Sequence, residues 1–452
     1  MPQDIVPELL ARATERLDGE FSDLPPSDAF GEINFTVMAA VLEETAKRLA
    51  DNYPYFHPLY AGQMLKPPHP AARAAYALAM KINPNNHALD GGRASSAMEV
   101  EAVREIAGMF GWTEYLGHLT SSGTFANLEA LWMAGQLRPG KRIVGSDQAH
   151  YTHQRISGVL KIEFTPVAAD GGGRIRLDML EDELHKGDVD TVVVTLGTTA
   201  MGAVDPLKEI LGLAKRYRCR VHVDAAYGGY FGLIAEELGA ATRQAYAAIG
   251  EPDSIVIDPH KHGLQPYGCG CVLFRDPALG RFYKHDSPYT YFTSKDLHLG
   301  EISLECSRAG ASAVALWATQ RLLPLKPGGE FARGLAKGRR AAVELDRRLR
   351  TDGRFIPLVA GPPELDIVVW ALAPRAADSR KASELAQKVF DACAKRGLHL
   401  ALVQLPGSWF GQARSDEPLT CLRSVLMKPE HETWLDRIWE RLSDACDEVV
   451  GK

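Results

Sequence analysis

Between residues 115 and 274 the sequence passes repeatedly from a short apolar, β-branched run to a loop and then to an amphipathic segment. The runs cover residues 142–145, 189–196, 220–223 and 254–257, and helical spacing fills residues 127–134, 177–184 and 207–217. Strands that read as unbroken apolar runs are buried on both faces, and their alternation with helices predicts an α/β fold with a mostly parallel sheet. Ligands in such sheets lie beyond the carboxyl ends of the strands. The residues that directly follow each run are therefore the candidates for chemistry.

The flanks read differently. Helical patterns occupy residues 6–52, 71–82 and 97–110, interrupted by an aromatic, proline-rich stretch from Tyr53 to Tyr60 that cannot be helical. Two helices are expected over 310–323 and 330–349, separated by Pro324, Pro327, Gly328 and Gly329. Beyond them strands at 367–372, 398–405 and 422–427 alternate with helices at 381–396 and 431–449. A chain of 452 residues exceeds one ordinary domain. The expected division is an N-terminal helical segment (1–80), a large ligand-binding domain (81–325) and a small C-terminal α+β domain (326–452).

Composition narrows the function. A net charge of −6, with both signs mixed, excludes a nucleic-acid surface. No apolar run reaches membrane-spanning length, and the N-terminus lacks the pattern of a secretory signal. Seven scattered cysteines fit reduced thiols, and Cys269 and Cys271 are too close for a zinc knuckle. A cytoplasmic enzyme without a metal and without membrane contact is expected.

Five segments follow the strands. Lys261 stands in Asp258-Pro259-His260-Lys261-His262-Gly263, where a lone lysine would ordinarily be a solvated charge. Asp224 ends the run before Ala225 and Ala226, as a turn-former or as the partner of something buried. A carboxylate there can keep a pyridine nitrogen protonated, and the small residues let a flat ring lie close. Ser121, Ser122, Gly123 and Thr124 precede a helix, a place for either a plain N-cap or an anion. His150 follows the run at 142–145, and Thr198 and Thr199 follow the one at 189–196.

In this order and at these places, the motifs resemble the group II pyridoxal-phosphate-dependent amino acid decarboxylases of fold-type I. The resemblance runs from His57-Pro58-Leu59-Tyr60 to the segment around Arg423, and its most specific parts are His222-Val223-Asp224-Ala225-Ala226 and Asp258-Pro259-His260-Lys261. It implies pyridoxal 5'-phosphate joined covalently to Lys261, with its ring nitrogen on Asp224 and its ring between His150 and Ala226. It also implies a phosphate on Gly123 and Thr124 with His260 close by, and Thr198 near the ring oxygen. The implied reaction removes the carboxylate of an L-amino acid as CO2 in a homodimer, with residues 1–80 as a dimer clasp. An aromatic substrate suits residues 53–60, while an acidic one would call on His57 or Arg93.

Two positions depart from the pattern. Counting back from Trp317 to the loop tyrosine of the aromatic decarboxylases lands near Gly300, so Tyr291 is taken as the proton donor, with Tyr289 and His298 as neighbours. Phe125 replaces an acidic residue of the phosphate turn, either shaping the pocket or filling core. Arg423 corresponds to a carboxylate clamp in related aminotransferases, or is a structural ion-pair member. Rival outcomes are oxidative decarboxylation to an aldehyde and carbon–carbon lyase chemistry on the same scaffold.

Overall fold

The computed structural model describes residues 5–25, 33–284, 302–373, 379–411 and 418–450. Three helices, α1 (Val6–Gly19), α2 (Phe35–Leu49) and α3 (Pro70–Met80), precede α4 (Arg93–Met109). The repeating region then gives β1 (Leu116–Thr120), α5 (Gly123–Leu137), β2 (Arg142–Ser146), α6 (Thr152–Leu160), β3 (Phe164–Val167) and α7 (Leu177–His185). It continues through β4 (Val189–Thr195), α8 (Leu207–Tyr217), β5 (Arg220–Asp224), α9 (Ala240–Ala247), β6 (Ser254–Ile257) and β7 (Gly270–Phe274).

These strands form one sheet in the order β1-β7-β6-β5-β4-β2-β3. All run parallel except β7, which is antiparallel to both β1 and β6. Every residue of β4 is buried, and Val192, Val193 and Val194 are fully so. Each such valine contributes about 1.5–3 kcal/mol relative to an exposed one. On α8 the buried Leu207, Ile210, Leu213 and Ala214 lie at helical spacing and cover the sheet, while Lys208, Lys215 and Arg216 face outward.

Parallel order brings Thr120, Ser146, Thr195, Asp224 and Ile257 to one edge of the sheet. Because β7 runs the other way, it begins at that same edge. Gly270 is needed there, since a Cβ would stand 2.6 Å from both the carbonyl carbon of Ser122 and Thr120 Oγ1.

After α10 (Gly310–Leu322), the helix α11 (Glu330–Thr351) runs for 22 residues, about 33 Å. Phe331, Leu335, Leu345 and Leu349 are its buried stripe. The strands β8 (Phe355–Pro357), β9 (Ile367–Leu372), β10 (Ala401–Pro406) and β11 (Pro418–Val425) form an antiparallel sheet in the order β10-β11-β9-β8. The helices α12 (Ser379–Lys395) and α13 (His431–Val450) pack with it around Trp370, Leu422, Ile438 and Leu442. Among the described residues no helix is long and apolar enough to cross a membrane.

Candidate active site

A cavity of about 200 Å³ opens at the carboxyl edge of the parallel strands. It is lined by Gly123, Thr124, His150, Asp224, Ala226, His260 and Lys261 from the sequence reading, together with Asn127, Thr199, Tyr227 and Asp258. Residues from five separate strand ends thus meet in one place.

At the first of these ends, Ser122 takes the N-cap of α5, its Oγ accepting from the Phe125 N–H at 3.2 Å. Gly123 and Thr124 then form the first turn, where unpaired N–H groups and the helix dipole favour an anion. A Cβ on Gly123 would lie 2.5 Å from both carboxylate oxygens of Asp258, so only glycine lets the turn and the β6 edge approach. Lys261 Nζ stands 3.0 Å from Asp258 Oδ2, and His260 Nε2 stands 3.5 Å from the same oxygen. Asp258 Oδ1 is fully enclosed and has no hydrogen-bond partner among the described residues.

Asp224 is held from three sides. His153 Nε2 lies 2.8 Å from Oδ2, Asn127 Nδ2 donates to the same oxygen at 3.3 Å, and the Ala226 N–H donates to Oδ1 at 3.1 Å. Burial alone would raise its pKa, but the hydrogen bond and charge of His153, the charge of Lys261 and the Ala226 N–H together hold it well below the usual carboxylate range. Behind it, His222 Nε2 faces Asn127 Oδ1 at 2.9 Å and His222 Nδ1 faces Ser254 Oγ at 2.8 Å. Burial, and the nearby His153, push His222 down to about 3, so it is neutral. With the Asn127 amide donating to Asp224, its carbonyl must accept from His222, and His222 in turn accepts from Ser254.

His150 is half-buried, accepts from the Thr152 N–H at 3.3 Å, and is kept below its ordinary value chiefly by burial. Thr198 requires a correction. It is fully buried and does not open onto the cavity, because its Oγ1 accepts the Ala203 N–H at 3.1 Å and closes a turn; Thr199 lines the cavity instead. Phe125 does not line it either. His57, Arg93 and Arg423 are likewise absent from the lining. Arg423 is buried with Gln63 Oε1 at 3.1 Å and takes part in no ion pair among the described residues. Tyr289, Tyr291 and His298 lie outside the described residues.

Asn127 and His153 escaped the sequence reading. Their only local signal is spacing: Asn127 lies one turn beyond Gly123, and His153 three residues beyond His150. A further buried group, Glu129, lies two residues beyond Asn127 on α5 and has His118 Nε2 at 2.9 Å and the Tyr283 hydroxyl at 2.8 Å.

The donor set fits pyridoxal phosphate. A primary amine is available for an aldehyde, a low-pKa carboxylate for a ring nitrogen, and a helix N-terminus for a phosphate. The chemistry such a ring supplies is an electron sink for the pair left at Cα when CO2 departs. The family described as the pyridoxal-dependent decarboxylase conserved domain matches residues 42–372. The chain belongs to that family. This decarboxylase is thus a pyridoxal-phosphate-dependent carboxy-lyase acting on an amino acid.

Its similarity extends to an L-tyrosine decarboxylase of Enterococcus faecium, at 27% identity over 78% of this chain and 75% of that one. It is 28% identical to a probable L-tyrosine/L-aspartate decarboxylase of Methanothermobacter thermautotrophicus, over 68% of this chain and 82% of the relative. The solved structure of Oryza sativa TDC with PLP and tryptamine superposes with a TM-score of 0.80 at 18% identity, covering 100% of this chain and 99% of that one. At that identity the likeness shows the fold.

Proposed function

We propose that this decarboxylase removes the carboxylate of an aromatic L-amino acid and releases the amine. The observation that carries the reading is the meeting of Lys261 Nζ, Asp224 and the α5 N-terminus around one cavity. In this reading Lys261 is the covalent attachment point and Asp224 the ring-nitrogen partner. Gly123, Thr124 and His260 serve the phosphate, and His150 and Ala226 flank the ring. Asp258 orients the Lys261 amine, and Tyr291 returns a proton to Cα.

The aromatic preference has support beside the cavity. Tyr267 lies against His260 with ring centroids 4.8 Å apart, and its hydroxyl donates to the Met64 carbonyl at 3.4 Å. Burial raises the Tyr267 pKa, with smaller contributions from Asp258 and Tyr55. Tyr55 in turn packs edge-on against Tyr60 at 4.9 Å. A flat apolar side chain held beside His260 and Tyr267 would gain from these neighbours.

A homodimer is part of the same proposal. Neither α1 nor α2 buries a residue, and Phe35, Val41, Leu42 and Leu49 are exposed along α2. A helix with such a face needs something to cover it. A cytoplasmic location remains part of the reading, since no disulfide joins two cysteines among the described residues.

The test is mass spectrometry of products after incubating the cofactor-loaded enzyme with an equimolar pool of amino acids. Tyramine or another aromatic amine is expected. A product from aspartate alone would overturn the aromatic preference, and an aldehyde would make the reaction oxidative. Consumption of no amino acid by enzyme that retains the cofactor on Lys261 would favour the lyase reading.

A further inference from the structure

A second cavity, of about 810 Å³, shares no lining residue with the catalytic one. It lies between residues 66–70, the start of α11 and the link from β11 to α13. Four cations line it, Lys66, Arg333, Lys337 and Lys428, against two carboxylates, Glu330 and Glu430. None of the four forms an ion pair among the described residues.

The two innermost cations are under-served. Lys428 is 3% exposed; its Nζ donates to the Tyr60 carbonyl at 2.6 Å and lies 5.2 Å from the Tyr60 ring centroid, with no second hydrogen-bond acceptor among the described residues. Lys66 Nζ reaches the Met427 carbonyl at 3.4 Å. Burial lowers both, Lys66 to about 8 and Lys428 to about 7, and the nearness of Lys66 lowers Lys428 further. Two desolvated amines whose charged forms repel one another, with no ion-pair partner among the described residues, hold their protons more readily when an anion joins them.

His262 is an independent pointer. It lines the same cavity, is 1% exposed, and its Nδ1 has no hydrogen-bond partner among the described residues. Its Nε2 stands 3.3 Å from Asp366 Oδ2. Asp366 also accepts from the Tyr227 hydroxyl at 2.5 Å, and Tyr227 lines the catalytic cavity.

We propose that this cavity binds a small anion carrying at least two negative charges, with Lys66, Lys428 and Lys337 as its cationic contacts and His262 at its inner wall. The chemistry is met by a phosphorylated metabolite or by a dicarboxylate. Since His262 directly follows Lys261, such a ligand would sit immediately behind the catalytic lysine.

Isothermal titration of the cofactor-loaded enzyme at constant ionic strength tests this, with inorganic pyrophosphate and succinate as separate probes. One saturable site per chain is expected for at least one probe. Affinity should fall tenfold or more in Lys66→Met/Lys428→Met, with the cofactor's absorbance band retained. Binding of pyrophosphate alone assigns a phosphate ligand, and binding of succinate alone a dicarboxylate. Should the double variant not fold, the exposed Lys337→Ala decides, with a loss of at least threefold. No saturable heat from either probe, or affinity unchanged in the folded variants, overturns the proposal.

Discussion

His153 Nε2 stands 2.8 Å from Asp224 Oδ2, both side chains being buried where β5 meets the catalytic cavity. The imidazole is the strongest influence keeping that carboxylate ionised against its own burial. Replacing it leaves Asn127 and the Ala226 N–H as partners, which are neutral donors. His153→Leu is expected to lower kcat by roughly ten- to a hundredfold, equivalent to about 1.4–2.7 kcal/mol. Cofactor retention should weaken in parallel. Unchanged kcat and cofactor affinity in the folded variant would sink this role.

Lys261 offers a direct chemical readout. Borohydride treatment of the loaded enzyme should fix the cofactor's mass onto the peptide carrying Lys261. Lys261→Ala should show no such adduct and no turnover, while free cofactor still binds weakly at the α5 N-terminus. An adduct on any other lysine would displace Lys261 from its assigned place.

Gly123→Ala puts a methyl group against both oxygens of Asp258, at 2.5 Å. Overpacking of this kind costs about 1–3 kcal/mol. Chemical denaturation should show the loss as a lower midpoint, and the displaced Asp258 should cost cofactor affinity as well. A variant as stable and as well loaded as the parent would mean that the turn yields more easily than its contacts indicate.

Glu129 ties two distant pieces of chain together. Its Oε2 accepts from the Tyr283 hydroxyl at 2.8 Å and its Oε1 from the Leu304 N–H at 3.2 Å, with His118 beside it at 2.9 Å. Burial opposes the charge, but His118, Tyr283 and Leu304 hold the carboxyl below its ordinary value near 4.5. Its stabilisation is therefore fully present above about pH 4.5 and is lost as pH falls through the lower folded-state value. Glu129→Gln should be destabilised at pH 7 and converge on the parent in acid. Urea midpoints measured from pH 7 downward would reveal a constant gap if the charge were irrelevant.

The exposed apolar face of α2 predicts a dimer that charge can split. Val41→Asp with Leu42→Asp should shift sedimentation toward the monomer without disturbing the sheet. A parent chain that sediments as a monomer at micromolar concentration would remove the clasp from the proposal.

Lys261 and Asp224 could be singled out because Asp224 ends one buried apolar run and Lys261 closely follows another, and such runs need no knowledge of their neighbours. For the same reason α8, β6 and β9 occupy the expected residues 207–217, 254–257 and 367–372. Strand direction was less legible, since β7 has the same apolar alternation whichever way it runs. At Thr198 the residue type was right for a ligand contact, but closure of the turn onto Ala203 rotated it inward and turned Thr199 out. Asn127 and His153 were illegible for another reason. Their meaning lies in Asp224, which is 97 and 71 residues away in sequence.

The file of groups behind Asp224 has a direction. Ser254 donates to His222, His222 to Asn127, and Asn127 to Asp224, and an amide cannot exchange donor for acceptor without turning over. The line therefore orders dipoles but conducts no protons. A proton on Asp224 therefore has no exit along this line into the sheet, and His153 is the titratable group left in hydrogen-bond contact with it among the described residues.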